Sequence, residues 1–204
     1  SYLAYFGDIY LTNPRLLPEF DVVTMFHLCE FFFPNTASAE YGGLTDHMVL
    51  DIFTDKTRAG GHILFYMHSM RFDKAQPIIA EWADLGLTAV FIGLEASTDA
   101  ELDSMQKRCT VGHNRKAIEV LQRHRVDVYG SLITQPDYLP EDWERLWRFI
   151  DENGLYYLNI SPLTPLPGSP GWRDHLPELT VSPRAHGLFD LTHVLLPTRM
   201  TLRD

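Results

Sequence analysis

The chain has 204 residues, 45% of them hydrophobic, and a formal net charge of −10. That length holds one large domain or two small ones with a buried core. The basic residues are mostly interspersed with acidic ones, which argues against a nucleic-acid partner needing a basic face.

No stretch reaches the ~18 uninterrupted apolar residues of a membrane helix, and no charged-then-apolar leader opens the chain. Two distant cysteines, Cys29 and Cys109, give no disulfide framework. The expectation is a cytoplasmic protein that acts on a small molecule and binds neither nucleic acid nor membrane.

In chain order, Gly7 to Tyr10 and Asp21 to Phe26 read as strands, the second a continuous apolar run suited to burial on both faces. Asn35 to Gly43 reads as a loop. Leu44 to Thr57 carries a helical stripe of Leu44, Met48, Val49, Ile52 and Phe53. Gly60-Gly61 reads as its stop, and His62 to Met67 as the next strand. Lys74 to Leu85 is expected to be helical and to end at Gly86.

Thr88 to Glu95 reads as a strand. Asp99 to Gln106 reads as a helix opened by Thr98 with Glu101 three residues on, the spacing of a capping box. Gly112 to His124 places Ala117, Ile118 and Leu121 on one helical face. Val126 to Ile133 is the next strand. Pro140 to Glu152 is a helix whose first turn carries Pro and acids, as the helix dipole favours; Asn153-Gly154 stops it. Leu155 to Ser161 is the last strand. Pro167, Pro170, Pro177 and Pro183 predict a surface excursion over Ser169 to Ala185, and His186 to Leu196 an apolar return to the body.

Strand, turn, helix and next strand at a spacing of about 30–40 residues is the period of β/α units in a parallel sheet or barrel. Such folds place their chemistry at the carboxyl ends of the strands. Glu95, Ser131, Gln135 and Thr164 are therefore expected on one rim.

Phe91-Ile-Gly-Leu-Glu-Ala-Ser97, then Met105-Gln-Lys-Arg108 and Asn114-Arg-Lys-Ala-Ile-Glu-Val-Leu121, resemble the later half of a radical S-adenosylmethionine (SAM) barrel. Tyr129 to Asp142 resembles that family's fifth-strand motif, and Ile160 to Pro170 its sixth-strand exit. The similarity covers roughly residues 62–204 and is nearest in kind to the cobalamin-dependent group that includes hopanoid methylases. It implies that Glu95 accepts hydrogen bonds from the SAM ribose. It also implies that Ser131 and Gln135 meet the adenosine, Leu163 and Thr164 offer groups to adenine, and Lys107 or Arg108 meets the SAM carboxylate. In an intact relative a four-iron four-sulfur cluster cleaves SAM and cobalamin relays the methyl group. That cluster needs three closely spaced cysteines, which this chain does not have, so no cluster is expected here.

Gly7-Asp-Ile-Tyr10, Pro18 to Phe32 and Ala59 to Tyr66 are similar to the second half of a class I SAM-dependent methyltransferase, over about residues 5–80. This similarity implies a place for Asp8 near the adenine and for His27 near a methyl-transfer pocket. The fold expected is an α/β parallel sheet with flanking helices. Residues 1–70 would form a Rossmann-like methyltransferase-type segment, joined to a partial radical-SAM-type (β/α) barrel over 71–204.

Both resemblances lack the loop that grips the methionine half of SAM, so weak cofactor binding is expected. A start at Ser1 fits a fragment, a processed chain or an engineered recombinant. Three functions stay open: a radical-SAM-type methylase, a class I methyltransferase with polar transfer, and a silent fragment or chimera. Cys109 is expected to be a buried small residue near a helix start, Cys29 a core residue, and His186 and His193 structural ones.

Overall fold

The computed structural model describes residues 13–26, 46–68, 79–169 and 171–200. The strand predicted at Gly7–Tyr10, the loop at 35–43, Asp8, His27 and Cys29 lie outside them.

Among the described residues, five strands form one sheet in sequence order: β1 (Phe20–Phe26), β2 (Thr57–His68), β3 (Ala89–Glu95), β4 (Asp127–Thr134) and β5 (Tyr157–Pro162). The helices are α1 (Asp46–Lys56), α2 (Asp99–Ser104), α3 (Val111–Arg123), α4 (Pro140–Glu152) and the short α5 (Trp172–His175). Residues 79–84 are also helical. β1 pairs with β2, and β4 with β5, in parallel. The protein is thus an α/β fold whose parallel strands are joined by helical crossovers, as parallel pairing requires. No described helix is long and apolar enough to cross a membrane.

The chain divides into two compact units, Ser1–Ile92 with His113–Val128, and Gly93–Gly112 with Tyr129–Asp204. In the first, Val23 and Met25 are buried while Val22 is 53% and Leu64 46% exposed. Val23 pairs with Ile63, and Thr24 with Leu64. One face of this strand pair is therefore covered and the other open, which corrects the expectation of burial on both faces. The side-chain period of two separates the faces even within an unbroken apolar run.

Gly60 and Gly61 do not stop α1; they lie inside β2. The pairing jumps from Phe20↔Thr57 to Val22↔His62, so the extra residues on β2 loop out as a bulge. Gly60 takes φ +81°, and a Cβ on Gly61 would sit 2.8 Å from the Asp21 carbonyl oxygen. Glycine serves a bulge here, a use that looks the same in sequence as a helix stop.

Helix exits follow one geometry. After residues 79–84, Leu87 N–H donates to Trp82 O (2.8 Å) and Gly86 N–H to Ala83 O (3.1 Å), with Gly86 at φ +109°. This is a Schellman exit on the predicted glycine. α4 leaves in the same way through Gly154 (φ +56°), with Leu155 N–H on Ile150 O. α2 and α3 make the same pair of bonds but put Gln106 (φ +55°) and Arg125 (φ +59°) in the left-handed position.

β4 alternates cleanly. Val128, Leu132 and Thr134 are buried, whereas Tyr129 is 44% exposed and Ser131 half-buried. α4 buries Leu146, Phe149 and Ile150. The 169–185 excursion is largely exposed as expected, yet it includes α5 and a 3-10 turn at Leu176–Glu178. Trp172 stacks edge-on against Phe189, with centroids 5.5 Å apart.

Candidate functional site

Asp127 N–H donates to Thr88 O (2.8 Å) where β3 and β4 begin, and the Leu94 side chain lies against Gly130 further along. β3 and β4 therefore run in the same sense. With β5 parallel to β4, the carboxyl ends of all three meet at one edge, where Glu95, Gln135, Leu163 and Thr164 stand.

Glu95 closes β3 in an unusual conformation. Ala96 N–H donates to Leu94 O at 2.8 Å, while Glu95 itself has φ +67°. A three-residue turn around a positive-φ residue is the rare, strained form of γ-turn, at a cost of order 1–3 kcal/mol. Its carboxylate is only 12% exposed and lies 3.1 Å from Lys107 Nζ.

The sequence between these two residues explains why they meet. Thr98 and Glu101 form the predicted capping box: Thr98 Oγ1 accepts from Glu101 N–H at 3.2 Å, and Glu101 Oε2 accepts from Thr98 N–H at 3.1 Å. At the other end of α2, Lys107 N–H bonds Leu102 O at 2.9 Å, which fixes the direction in which its side chain starts. Arg108 is exposed. Asp99 accepts from Val111 N–H at 2.7 Å and so ties the start of α3 to α2.

After β4, Gln135 Nε2 lies 3.8 Å from Met105 Sδ. After β5, Leu163 N–H donates to Thr134 O (2.9 Å) and Thr164 Oγ1 to Pro162 O (3.0 Å). Ser131 sits in the middle of β4, opposite Asn159. A cavity of about 420 Å³ opens beside these ends, lined by Gln135 and Leu163 together with Tyr138, Trp143, Ile160 and Leu196, among others. The structure thus brings Gln135 and Leu163 together on one cavity. Glu95, Ser131, Thr164 and Arg108 are not among its lining residues.

A polar network that local sequence signals do not reveal underlies this edge. Glu101 faces Arg145 at 3.7 Å, and Arg145 bonds Asp142 at 2.6 Å. Asp142 also accepts from Leu139 N–H at 2.8 Å. That backbone bond, and after it Arg145, hold the Asp142 carboxyl below its ordinary value. Tyr138 is 5% exposed. Burial, and then its hydrogen bond to Glu101, push its hydroxyl well above the usual phenol range. Glu101 lies about forty positions from Tyr138 and Arg145 in sequence, so no local pattern could have paired it with them.

Elsewhere, His193 lies 2.9 Å from Asp190 and His175 3.2 Å from Glu178, all exposed or half-buried. Cys109 is half-buried rather than fully buried. No cluster of three or more metal-ligating side chains occurs among the described residues.

In open α/β sheets the carboxyl ends of the strands are where ligand crevices form. No protein-family model matches the chain. It is 35% identical over 123 residues to hopanoid C-3 methylase of Methylococcus capsulatus (strain ATCC 33009 / NCIMB 11132 / Bath), an alignment covering 60% of this chain and 23% of that protein. The chain is a partial relative of that methylase and spans about a quarter of its length.

Proposed function

We propose that this chain is the nucleoside-holding portion of a radical-SAM-type methylase, a partial (β/α) barrel in which the edge of β3, β4 and β5 carries S-adenosylmethionine. Glu95 accepts hydrogen bonds from the ribose hydroxyls. The cavity beside Gln135 and Leu163 receives the adenine, and Thr164 stands on the same strand edge as a further contact of the nucleoside. Lys107 and Arg108 face the methionine carboxylate. In this reading residues 71–204 carry the barrel segment and residues 1–70 a Rossmann-like segment.

The observation that carries the reading is Glu95. A strained, mostly buried carboxylate at a strand's carboxyl end is where function outweighs backbone comfort. Lys107 occupies one of its oxygens, and a carboxylate has lone pairs to spare for a diol. The cavity supports the base assignment: its lining contains no charged side chain, and the Gln135 carboxamide offers both a donor and an acceptor to a heteroaromatic edge. Similarity to a hopanoid methylase suggests a largely apolar polycyclic methyl acceptor.

Two cysteines far apart in sequence cannot supply three thiolates from one loop. The residues of this chain do not fit an iron–sulfur cluster, and no step through a cluster or cobalamin is derived from them.

Calorimetry tests the reading. SAM and adenosine should bind alike, with roughly high-micromolar to millimolar affinity, and Glu95→Ala should weaken both tenfold or more. Submicromolar SAM binding, or affinities indifferent to Glu95→Ala, would reject it.

A further inference from the structure

The wall of the cavity opposite β4 and β5 comes from a stretch with no regular secondary structure. Thr192, Val194, Leu196, Thr198 and Met200 line it, every second residue of one run. The chain bends at 190–193, at 196 and at 199–200, and the lining residues are those its course turns toward the cavity.

This run is pinned along its length. At its start, Asp190 accepts from Thr192 N–H (2.9 Å), Thr192 Oγ1 (2.8 Å) and His193 N–H (3.2 Å). In the middle, Leu195 O accepts from both Thr180 N–H (2.9 Å) and Thr180 Oγ1 (3.0 Å), and Leu195 and Leu196 are buried. At its end, Arg199 N–H donates to Pro136 O at 3.0 Å, one residue beyond Gln135. The bonds that tie the run to other segments come from Leu195 and Arg199, which lie outside the cavity lining.

We propose that residues 190–200 form a fixed strap that decides which ligands fit the cavity, with Val194 at its mouth and Leu196 deeper as specificity-determining side chains. This rests on the reading of the cavity as a base pocket. A wall tied at two points, to Thr180 and to Pro136, has a set width and does not swing aside. It admits a flat neutral ring and rejects one enlarged at its edge. Val194 is 56% exposed while Leu196 is 3% exposed, so the mouth tolerates substitution without disturbing the core.

The test uses the full chain with two neutral probes, adenine and the bulkier N6-benzyladenine, followed by ligand-observed NMR, with circular dichroism to verify folding. Wild type should bind adenine and favour it at least tenfold over the bulkier base. Val194→Trp should weaken adenine at least tenfold, and Val194→Ala should bring the two bases within threefold of each other. Glu95→Ala should leave adenine unchanged and reduce adenosine to the affinity of adenine.

Adenine binding unaffected by Val194→Trp, or a base preference unmoved by Val194→Ala, overturns the strap while leaving the Glu95 reading standing. The opposite result, both Val194 effects seen but adenosine indifferent to Glu95→Ala, supports the strap and removes the ribose assignment. Failure of wild type to bind adenine with a dissociation constant of about 10 mM or tighter overturns the strap outright.

Discussion

Two parallel strand pairs in this chain are built on glycine in opposite ways. β4 and β5 step one to one from Tyr129↔Tyr157 to Thr134↔Pro162, and Gly130 makes room for side chains: a Cβ there would meet Leu94 Cδ1 at 2.8 Å and Leu158 Cδ2 at 3.3 Å. β1 and β2 break register between Phe20 and Val22. There Gly61 makes room for backbone, since a Cβ would lie 2.8 and 2.9 Å from the Asp21 and Arg58 carbonyl oxygens. The same residue type serves packing in one pair and chain routing in the other. Tolerance to substitution should differ accordingly, because side-chain ends rotate and paired backbone does not.

Gly61→Ala gives the largest expected effect. Its methyl group can be accommodated only by parting β1 from β2, at about 2–3 kcal/mol. Trp82 reports on the first unit once Trp143, Trp147 and Trp172 are changed to Phe, so a urea titration followed by its fluorescence measures the loss. A change within about 0.5 kcal/mol, the range of an ordinary surface substitution, would show that the bulge gives way easily and that the contrast is false.

Alkaline pH probes the other side. The Tyr138 hydroxyl, raised by burial and by Glu101, favours the folded state fully below its unfolded value of about 10. That contribution is lost as pH rises through the higher folded value. Absorbance titration should leave Tyr138 un-ionised until the second unit unfolds, and Tyr138→Phe should abolish that lag. A lag that persists in Tyr138→Phe would assign it to another residue.

Gly130→Ala should cost about 1 kcal/mol or less. Leu94 can turn its methyl aside, and alanine loses less chain entropy than glycine on folding. A loss as large as that of Gly61→Ala would erase the distinction.

Arg58→Met is the smallest. Arg58 bridges Asp21 at 3.0 Å and Glu19 at 3.4 Å, but all three side chains are at least half exposed. Solvent and salt screen such surface pairs, so the urea midpoint should stay where it is in the wild type. A midpoint shift as large as that of Gly61→Ala would mean that the bulge depends on this charge cluster rather than on glycine.

The elements most legible in the sequence were those with local punctuation. Thr98 with Glu101 announced α2, Pro140 announced α4 to the residue, and Gly86 marked a helix exit, because capping and left-handed stops act within four or five residues. Gly60-Gly61 misled because a bulge and a helix stop both ask for glycine. Glu95 was legible as a strand terminus on a shared edge, but its positive φ was not, since nothing in a glutamate side chain signals a left-handed backbone. The Glu101–Arg145–Tyr138 network depends on contacts distant in sequence. The strap was hidden in a different way: its run of leucine, proline and threonine bends repeatedly and forms no regular element that a sequence pattern would announce.

Between Glu95 and Lys107 the chain is bracketed by two left-handed residues, Glu95 and Gln106, with a capped helix of six residues between them. Each added or deleted residue in that helix would rotate the downstream chain by about 100° and carry the lysine off the carboxylate it now meets. Most solvent-facing letters in this segment can therefore drift without consequence, but their number cannot. Homologous proteins that keep this ion pair should conserve the count of residues from the glutamate to the lysine more strictly than they conserve the residues themselves.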